Sequence, residues 1–251
     1  MCLSLHFLEK LLQQAPQLRL KLRRKVSKIQ GLELVPMELF YHPLSRYSQK
    51  VLIALYEKQA NFYPRIIDLR DPFSRKEFHQ TYPQARVPLL KTHDELLVPE
   101  SSIIIEYLDR HFNNSTQLLP QEPQRNLQVR LFDRIIDNDI NNPLFQLEKL
   151  KHTEDSNEFE IKQLEKQLLV QFQRLDTQLT QHHWVCGDSF TLADCALIPC
   201  LSYSFQHLNL LDLDEIVRYW QQAQLRGAWM LVQEEVLLAE MEETAGIRGI
   251  P

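Results

Sequence analysis

Glycine is scarce in this sequence, with only five glycines among 251 residues. Phosphate-binding loops of the dinucleotide-binding and P-loop types need glycines where the main chain closely approaches a pyrophosphate. The glycines, at positions 31, 187, 227, 246 and 249, do not supply such a loop. The sequence therefore excludes a nucleotide site of either type.

The sequence also lacks paired cysteines and long apolar runs. None of its four cysteines, at positions 2, 186, 195 and 200, belongs to a CxxC pair, and no secretory hydrophobic region precedes them. This usage is typical of reduced thiols in a cytosolic protein, so we expect a cytoplasmic location. A transmembrane helix needs about 20 apolar residues. No run approaches that length, so we expect no integral membrane span.

Basic residues are not in excess, because the formal net charge is -5. Nucleic-acid-binding domains are typically basic, so nucleic acid is not an expected partner. The charge is unevenly spread: residues 1–36 hold seven lysines and arginines against two glutamates, a net of +5 that leaves -10 for the rest. With 44% hydrophobic residues, the chain can build a core for one large domain or two modest ones.

Residues 1–36 are interpreted as a basic N-terminal extension. Leucines near helical spacing (Leu5, Leu8, Leu12) precede the basic stretch RLKLRRK. Basic amphipathic segments of this kind occur as mitochondrial targeting sequences and as helices that lie on membrane surfaces. A poorly packed terminal segment, or sequence upstream of a true start at Met37, also fits. Organelle targeting and membrane-surface association therefore stay open alternatives.

Residues 37–112 alternate between strand and helix patterns. Side chains that alternate in polarity predict strands, and apolar residues three and four apart predict helices. The predicted strands cover residues 37–42, 62–69, 87–90 and 95–98, and the predicted helices cover 45–58, a segment opened by Pro72, and 100–112. This βαβαββα order is typical of an α/β domain.

A polar segment then marks a domain boundary. Residues 113–125 include NNSTQLLPQEPQ, whose asparagines and prolines are typical of a linker. Everything beyond has helical periodicity, so we predict an all-α domain over residues 126–251. The predicted helices cover residues 127–150, 159–179, 191–205, 213–225 and 228–241.

Three local motifs lie within this organisation. The first is an extended segment that ends in Val87-Pro88. The second is Glu100-Ser101 at a helix start, followed by IIIEYLD. The third is FTLAD at residues 190–194, where Thr191 caps a helix and Asp194 reaches back to the Thr191 N–H. Together, and in this order, they resemble the cytosolic glutathione transferase family over residues 37–241. The resemblance implies a thioredoxin-like βαβαββα domain followed by an all-helical domain.

The resemblance also implies a glutathione site. Its residues would be Arg86, Val87, Pro88, Glu100 and Ser101. Family members hold the cysteinyl main chain of glutathione beside a cis-proline, so we expect a cis Val87–Pro88 bond and a free Val87 main chain, which pairs like an added strand. The helix start at Ser101 suits the γ-glutamyl carboxylate, Glu100 its ammonium, and Arg86 the glycyl carboxylate.

The residues alone leave simpler alternatives for this site. A trans proline can open a strand at Pro88. Ser101 or Ser102 can act only as a helix N-cap. Arg86 can be a solvated surface arginine. The expectation of a glutathione site therefore depends on the family resemblance.

Ser45, in the loop HPLSRYSQKV, is the expected thiol-activating residue. Serine-using members of the family have a serine three residues before the position of Ser48. A hydroxyl that donates to sulfur, together with the N-terminal field of a helix, stabilises a thiolate. Tyr47 is the alternative hydroxyl, and Ser45 can also be a plain N-cap. The isomerase branch has Ser-Ser-Cys where this chain has Ser-Arg-Tyr, which argues against maleylacetoacetate isomerase activity.

The leading interpretation is an enzyme that conjugates glutathione, as co-substrate, to a small hydrophobic electrophile. The resemblance implies a homodimer, no metal, and an electrophile pocket near Leu44, Ile136 and Ile140. The alternative is a non-catalytic protein. The stretches IIIEYLDRHF and FTLADCALIPCL also resemble the stringent-starvation-protein branch, whose members keep the fold, lack transferase activity and bind RNA polymerase.

Overall fold

The computed structural model describes residues 36–113, 115–153 and 157–244. The predictions for the N-terminal extension, including targeting and membrane-surface association, concern residues 1–36 and lie outside these ranges apart from Pro36. Within the described ranges, none of the helices is both long and apolar enough to span a bilayer.

The first half of the described chain is an α/β domain built on a four-stranded sheet. The strand order is β2-β1-β3-β4; β1 and β2 are parallel and the other pairs are antiparallel. The strands are β1 Met37–Tyr41, β2 Phe62–Ile66, β3 Leu89–Lys91 and β4 Leu97–Pro99. Helices α1 Arg46–Glu57, α2 Pro72–Thr81 and α3 Ser101–His111 connect or follow them. The predicted βαβαββα order is confirmed.

Pro64 sits in the middle of β2, opposite Leu39 of β1. Proline cannot donate a main-chain hydrogen bond, so within a sheet it is confined to edges, strand starts and bulges. The strand order places β2 at an edge. This explains how a proline fits into a regular strand here.

The strands of the predicted hairpin each begin two residues later than expected, at Leu89 and Leu97. The turn between them is longer than the sequence suggested. Thr92 Oγ1 accepts a hydrogen bond from the Leu96 N–H at 3.1 Å, and Glu95 has a positive φ of 65°. These local interactions hold the chain in a turn up to Leu96.

The second half of the described chain is helical. Its elements are α4 Pro123–Ile135, a π-helical segment Ile136–Asn141, α5 Asn142–Lys151, α6 Glu158–Leu179, α7 Leu192–His207, α8 Asp214–Gln224 and α9 Gly227–Thr244. Helix α4 begins four residues earlier than predicted because Glu122 caps it, accepting from the N–H groups of Gln124 and Arg125 at 2.8 and 2.7 Å. The single helix predicted over residues 127–150 is found as three segments without a gap: α4, the π segment and α5.

The predicted cap at the start of α7 is confirmed. The Asp194 carboxylate accepts from the Thr191 N–H at 2.8 Å, and the pair forms a capping box. It also accepts from the Val185 N–H at 2.9 Å and from the Tyr219 hydroxyl at 3.0 Å. Asp194 is fully buried, and this burial raises its pKa to about 6.

The two halves share one hydrophobic core. Buried side chains of β1, α1 and α3 are continuous with those of α4 to α9. Helix α7 is buried along most of its length, and its Cys195 and Cys200 are fully buried free thiols, as predicted. A smaller cluster around Phe78 of α2 covers the opposite face of the sheet. The sheet therefore lies between α2 on one side and α1 and α3 on the other.

Candidate functional site

The sheet register brings the predicted glutathione-binding residues to one end of the sheet. Phe40 of β1 pairs with Leu89 of β3, and Leu89 pairs with Pro99 of β4. Extending this register past the strand ends places the Val87–Pro88 bond between the end of β1 and the start of α3. The N-terminal ends of α1 and α3 thus lie at the same end of the sheet as Val87.

The Val87–Pro88 peptide bond is cis, as expected. Strand β3 starts only at Leu89. Within the described part of the chain, the N–H and C=O of Val87 form no hydrogen bond. Two free main-chain groups next to a strand end can accept an extended peptide as an additional strand.

Helix α3 starts without a side-chain cap. Its N-cap is Glu100, which is exposed, has a positive φ of 69° and makes no capping hydrogen bond. The alternative interpretation of Ser101 or Ser102 as the N-cap is therefore wrong, because the helix already includes both. The first N–H groups of an α-helix have no partner within the helix. At α3 they stay available to an anionic ligand, beside the nearly buried Ser101.

A non-glycine residue with positive φ is uncommon, and such strain clusters at functional sites. At Glu100 the unusual backbone turns the chain from β4 directly into α3. It leaves the carboxylate in solvent rather than folded over the helix start. The Glu100 side chain can then accept from a ligand ammonium group.

Ser45 is the N-cap of α1. Its Oγ accepts from the Ser48 N–H at 3.4 Å, which leaves the hydroxyl hydrogen free to donate. The preceding loop is held by its own hydrogen bonds, from the Leu44 N–H to His42 Nδ1 at 3.3 Å and from the His42 N–H to Ser48 Oγ at 3.4 Å. Burial, followed by the Arg70 guanidinium, lowers the pKa of His42.

Tyr47, the alternative hydroxyl, is already engaged. It donates to Asn142 Oδ1 of α5 at 2.8 Å. Burial, followed by the charge of Asp137, raises its pKa to about 12. A donor committed to the helical half is poorly placed to serve a thiol.

Arg86 is exposed and has no ion pair or hydrogen bond in the described ranges. It lies directly before Val87 in the chain, so its guanidinium is free to reach a carboxylate bound along β3. The interaction with a glycyl carboxylate stays a prediction.

The structure does not place the predicted electrophile pocket where the sequence suggested. Leu44 is half-buried at the loop before α1, but Ile136 and Ile140 are completely buried in the core. Both lie in the π segment, where side chains do not follow the α-helical period. Asn141 of this segment and Asn142 at the start of α5 form hydrogen bonds with Arg46 and Tyr47 of α1.

Sequence reasoning missed a buried ionic cluster that joins α1, α3 and α4. Lys50 Nζ lies 2.5 Å from Asp133 Oδ1 and 2.9 Å from Asp137 Oδ2, and it donates to Ser102 Oγ at 3.0 Å. Ser102 in turn donates to Asp133 Oδ2 at 2.7 Å. The Lys50 side chain is only 1% exposed. Every residue from Ser48 to Leu55 of α1 is buried in the structure, whereas in the sequence Lys50 resembles an ordinary surface cation.

Opposing effects act on the protonation of this cluster. Burial alone would lower the pKa of Lys50, but the carboxylates of Asp133 and Asp137 raise it, so the ammonium stays charged. Burial raises the pKa of Asp137 despite the attraction of Lys50. Oδ1 of Asp137 is buried without a hydrogen-bond partner in the described ranges. No group of three or more metal-ligating side chains occurs in those ranges.

Arg46, which follows Ser45, is the second residue that sequence reasoning missed. Its Nε donates to Asn141 Oδ1 at 2.8 Å, and its Nη1 donates to Glu148 Oε2 at 3.0 Å. The guanidinium carbon lies 4.7 Å from the centre of the Tyr203 ring. Arg46 therefore ties the first turn of α1 to α5 and α7.

Comparison with known proteins decides the family. Residues 39–116 match the family described as glutathione S-transferase, N-terminal domain. Residues 145–222 match glutathione S-transferase, C-terminal domain. The chain belongs to the glutathione S-transferase family.

Two curated relatives show the range of this family member's similarities. It is 31% identical over 176 residues to a stringent starvation protein A homolog of Coxiella burnetii, covering 69% of this chain and 78% of that one. It is 30% identical over 175 residues to a probable maleylacetoacetate isomerase of Caenorhabditis elegans, covering 68% and 80%. Two relatives with different names are thus similar to this chain at nearly the same sequence identity.

The fold agrees with solved members of the family. A glutathione S-transferase from Methylobacillus flagellatus, crystallised with glutathione bound, superposes with a TM-score of 0.71 at 24% identity. The match covers 78% of this chain and 98% of that one. At 24% identity this likeness shows that the two chains share a fold, and it does not identify a substrate for this chain.

Proposed function

We propose that the protein is a glutathione transferase that activates the thiol of glutathione and conjugates it to a small electrophile. The observation that supports this is the convergence, at one end of the sheet, of the free Val87 main chain and two helix N-termini. One terminus carries no side-chain cap, and the other carries a hydroxyl with a hydrogen free to donate. This arrangement suits an extended anionic peptide that carries a thiol.

Glutathione binds beside Val87, in the segment that precedes β3, in this proposal. Its cysteinyl main chain pairs with the N–H and C=O of Val87 as an additional strand. The γ-glutamyl carboxylate accepts from the N–H groups at the start of α3 and from the Ser101 hydroxyl, where the helix dipole favours negative charge. Glu100 accepts from the ammonium group, and Arg86 donates to the glycyl carboxylate.

Ser45 lowers the pKa of the glutathione thiol in this proposal. A free thiol has a pKa of about 8.5, and lowering it by two units requires about 2.7 kcal/mol of preferential thiolate stabilisation. A hydrogen bond to a charged group contributes about 1.5–3 kcal/mol, and the N-terminal field of α1 adds to it. One hydroxyl at the start of α1 is therefore sufficient.

Replacing Ser45 with alanine is expected to reduce kcat about 10- to 100-fold, because a charge-assisted hydrogen bond to the thiolate is lost. The affinity for glutathione should change little, since the main-chain and carboxylate contacts remain. Turnover of 1-chloro-2,4-dinitrobenzene and calorimetric titration with glutathione measure the two effects.

Ser45→Gly is the matched control for the lost helix cap. Glycine at an N-cap costs only a few tenths of a kcal/mol relative to serine. Because glycine also lacks the hydroxyl, the Ser45→Gly variant should lose as much turnover as the Ser45→Ala variant. Tyr47→Phe should keep most of the rate. A Ser45→Ala variant with the full rate of the original protein would contradict the role of Ser45.

We further infer that the chain forms a homodimer through α3 and α4. Ile103, Leu127 and Leu131 are 49%, 68% and 55% exposed. Leu127 and Leu131 are four residues apart and therefore neighbours on one helix face. Light scattering measures the assembly, and Leu127→Glu combined with Leu131→Glu should leave a monomer.

A second candidate function is that of a non-catalytic adaptor. It is favoured by the 31% identity to a stringent starvation protein A homolog, and by the polar contacts of Arg46 with Glu148 and of Tyr47 with Asn142 beside Ser45, where a hydrophobic electrophile needs an apolar surface. Retention on immobilised glutathione together with turnover supports the enzyme. Failure of both, with co-purification of RNA polymerase subunits, supports the adaptor.

A further inference from the structure

A surface hollow of about 430 Å³ opens on α5 next to Arg46. Its lining residues are Phe145, Glu148, Lys149, His152 and Thr153. Glu148 belongs to the hollow and also pairs with Arg46 at 3.0 Å, and Arg46 directly follows Ser45. The Arg46–Glu148 ion pair therefore connects the hollow to the first residue of α1, the helix that Ser45 caps.

We propose that this hollow takes an electrophile with a carboxylate group, which binds the Arg46 guanidinium in place of Glu148. The inference rests on the proposed transferase function and specifies its substrate class. It replaces the hydrophobic pocket expected around Ile136 and Ile140, whose side chains are inaccessible.

The Arg46 guanidinium is prepared to bind a carboxylate. Asn141 fixes its Nε, and the Tyr203 ring supports its face. Nη1 is held only by Glu148, and Nη2 makes no hydrogen bond in the described ranges. A guanidinium offers a carboxylate two parallel N–H donors, and a fixed guanidinium loses little freedom when it binds.

Glu148 can be exchanged at low cost. Its side chain is 38% exposed, whereas that of Arg46 is 8% exposed. Because the Glu148 carboxylate is itself partly exposed, water can solvate it when a ligand carboxylate takes its place at Arg46. Arg46 must keep a negative partner, because a buried charge without one is strongly destabilising. A ligand carboxylate satisfies that condition.

Basic groups surround the hollow in a protein whose net charge is -5. Lys149 and His152 line it, and the Nδ1–H of His152 donates to the Glu148 carbonyl at 2.7 Å. His207 lies against Tyr203 in a tilted arrangement with ring centres 4.1 Å apart. Burial, then the charge of Lys151, lowers the pKa of His207, so this ring adds little positive charge. The exposed Lys149 is the cation of the lining that is available to an anionic ligand once Glu148 turns away.

Phe145 supplies the apolar part of the hollow. Its ring is 63% exposed, which is unusual for a residue type that contributes most when buried. A ligand with an aromatic or other flat apolar body would cover it. The chemistry of the hollow thus fits a compact apolar electrophile that carries one carboxylate.

A matched pair of electrophiles tests the proposal: 4-chloro-3,5-dinitrobenzoate and its methyl ester. With each, the glutathione thiolate forms a C–S bond at the chlorinated ring carbon, and chloride leaves with the C–Cl electron pair. The thiol proton is released to solvent. Each kcat/KM is divided by the uncatalysed rate constant for the same electrophile, which removes the difference in intrinsic reactivity.

For the original protein, the corrected kcat/KM of the acid should exceed that of the ester roughly 10- to 100-fold. This is the range that one charge-assisted hydrogen bond contributes. Arg46→Gln should bring the ratio to about one. Glu148→Gln should raise it further, because the competing carboxylate is gone. Lys162→Gln, which removes an exposed charge paired with Glu158 on α6, should leave the ratio unchanged.

The outcomes separate the two proposals. A ratio near one for the original protein, or a ratio that Glu148→Gln does not raise, overturns the carboxylate proposal while transferase activity stands. No turnover of either electrophile overturns both. If Arg46→Gln fails to fold, two other measurements test the proposal. A raised acid-to-ester ratio in Glu148→Gln, together with stronger inhibition by 3,5-dinitrobenzoate than by its methyl ester, supports it. The absence of either effect overturns it.

Discussion

Replacing Lys50 with methionine is expected to lower the free energy of unfolding by about 3–5 kcal/mol. The methionine fills a similar volume, so the loss comes from the carboxylates of Asp133 and Asp137, which stay buried without their cation. Urea unfolding followed by tryptophan fluorescence measures the change.

Two further variants establish that charge, and not packing, is responsible. Lys162→Met removes an exposed lysine from its pair with Glu158 and should change the stability little, because solvent screens an exposed ion pair. Adding Asp133→Asn and Asp137→Asn to Lys50→Met should recover much of the loss, because no buried charge then lacks a partner. Equal stability of Lys50→Met and the original protein would mean that water reaches the cluster.

Asp194→Ala should destabilise the protein by a similar amount, about 3–5 kcal/mol. It removes the cap of α7, which typically contributes about 1 kcal/mol. It also leaves the buried Val185 N–H and the Tyr219 hydroxyl without their acceptor, at about 1–3 kcal/mol each. Thermal and urea unfolding of the variant measure the loss.

Glu122→Ala is the matched control for Asp194→Ala. Glu122 also accepts two N–H groups at a helix start, but it is exposed, so water replaces it and the loss of stability should be clearly smaller than for Asp194→Ala. If the two alanine variants lose the same stability, burial of Asp194 adds nothing beyond an ordinary cap.

The pH dependence of the Asp194→Ala effect follows from the raised pKa. An aspartate with a folded pKa of about 6, above the ordinary value of about 3.9, binds its proton more tightly in the folded state. Its contribution to stability therefore decreases as the pH rises from about 4 to about 6. The stability difference between the original protein and the variant should shrink across that window.

Short-range chemistry explains what the sequence predicted well. Thr191 and Asp194 have the spacing of a helix cap, so this cap was predicted from neighbouring residues in the chain. The alternation of strand and helix patterns likewise depends on a few adjacent residues. The roles predicted for Val87, Pro88 and Ser101 depended instead on the family resemblance, because a trans proline and a serine N-cap fit the same residues.

Long-range packing explains what was missed. The pattern over residues 127–150 predicts a helix but does not show which of its side chains the other helices cover. In the structure Ile136 and Ile140 lie in the core, whereas Asn141 of the π segment and Asn142 of α5 bond to Arg46 and Tyr47 of α1. Lys50 and Arg46 resemble ordinary surface cations in sequence. Only the tertiary fold, which surrounds α1 on all sides, makes them part of buried networks.

The position of Pro64 also affects how the protein behaves at high concentration. An open sheet margin can recruit the strands of other molecules and begin fibrous association. On the β2 side, Pro64 removes a donor from that margin and Arg65 adds a charge. On the other side, β4 has only three residues and ends in Pro99. Both margins are therefore poor templates, which helps the folded chain resist self-association through its sheet.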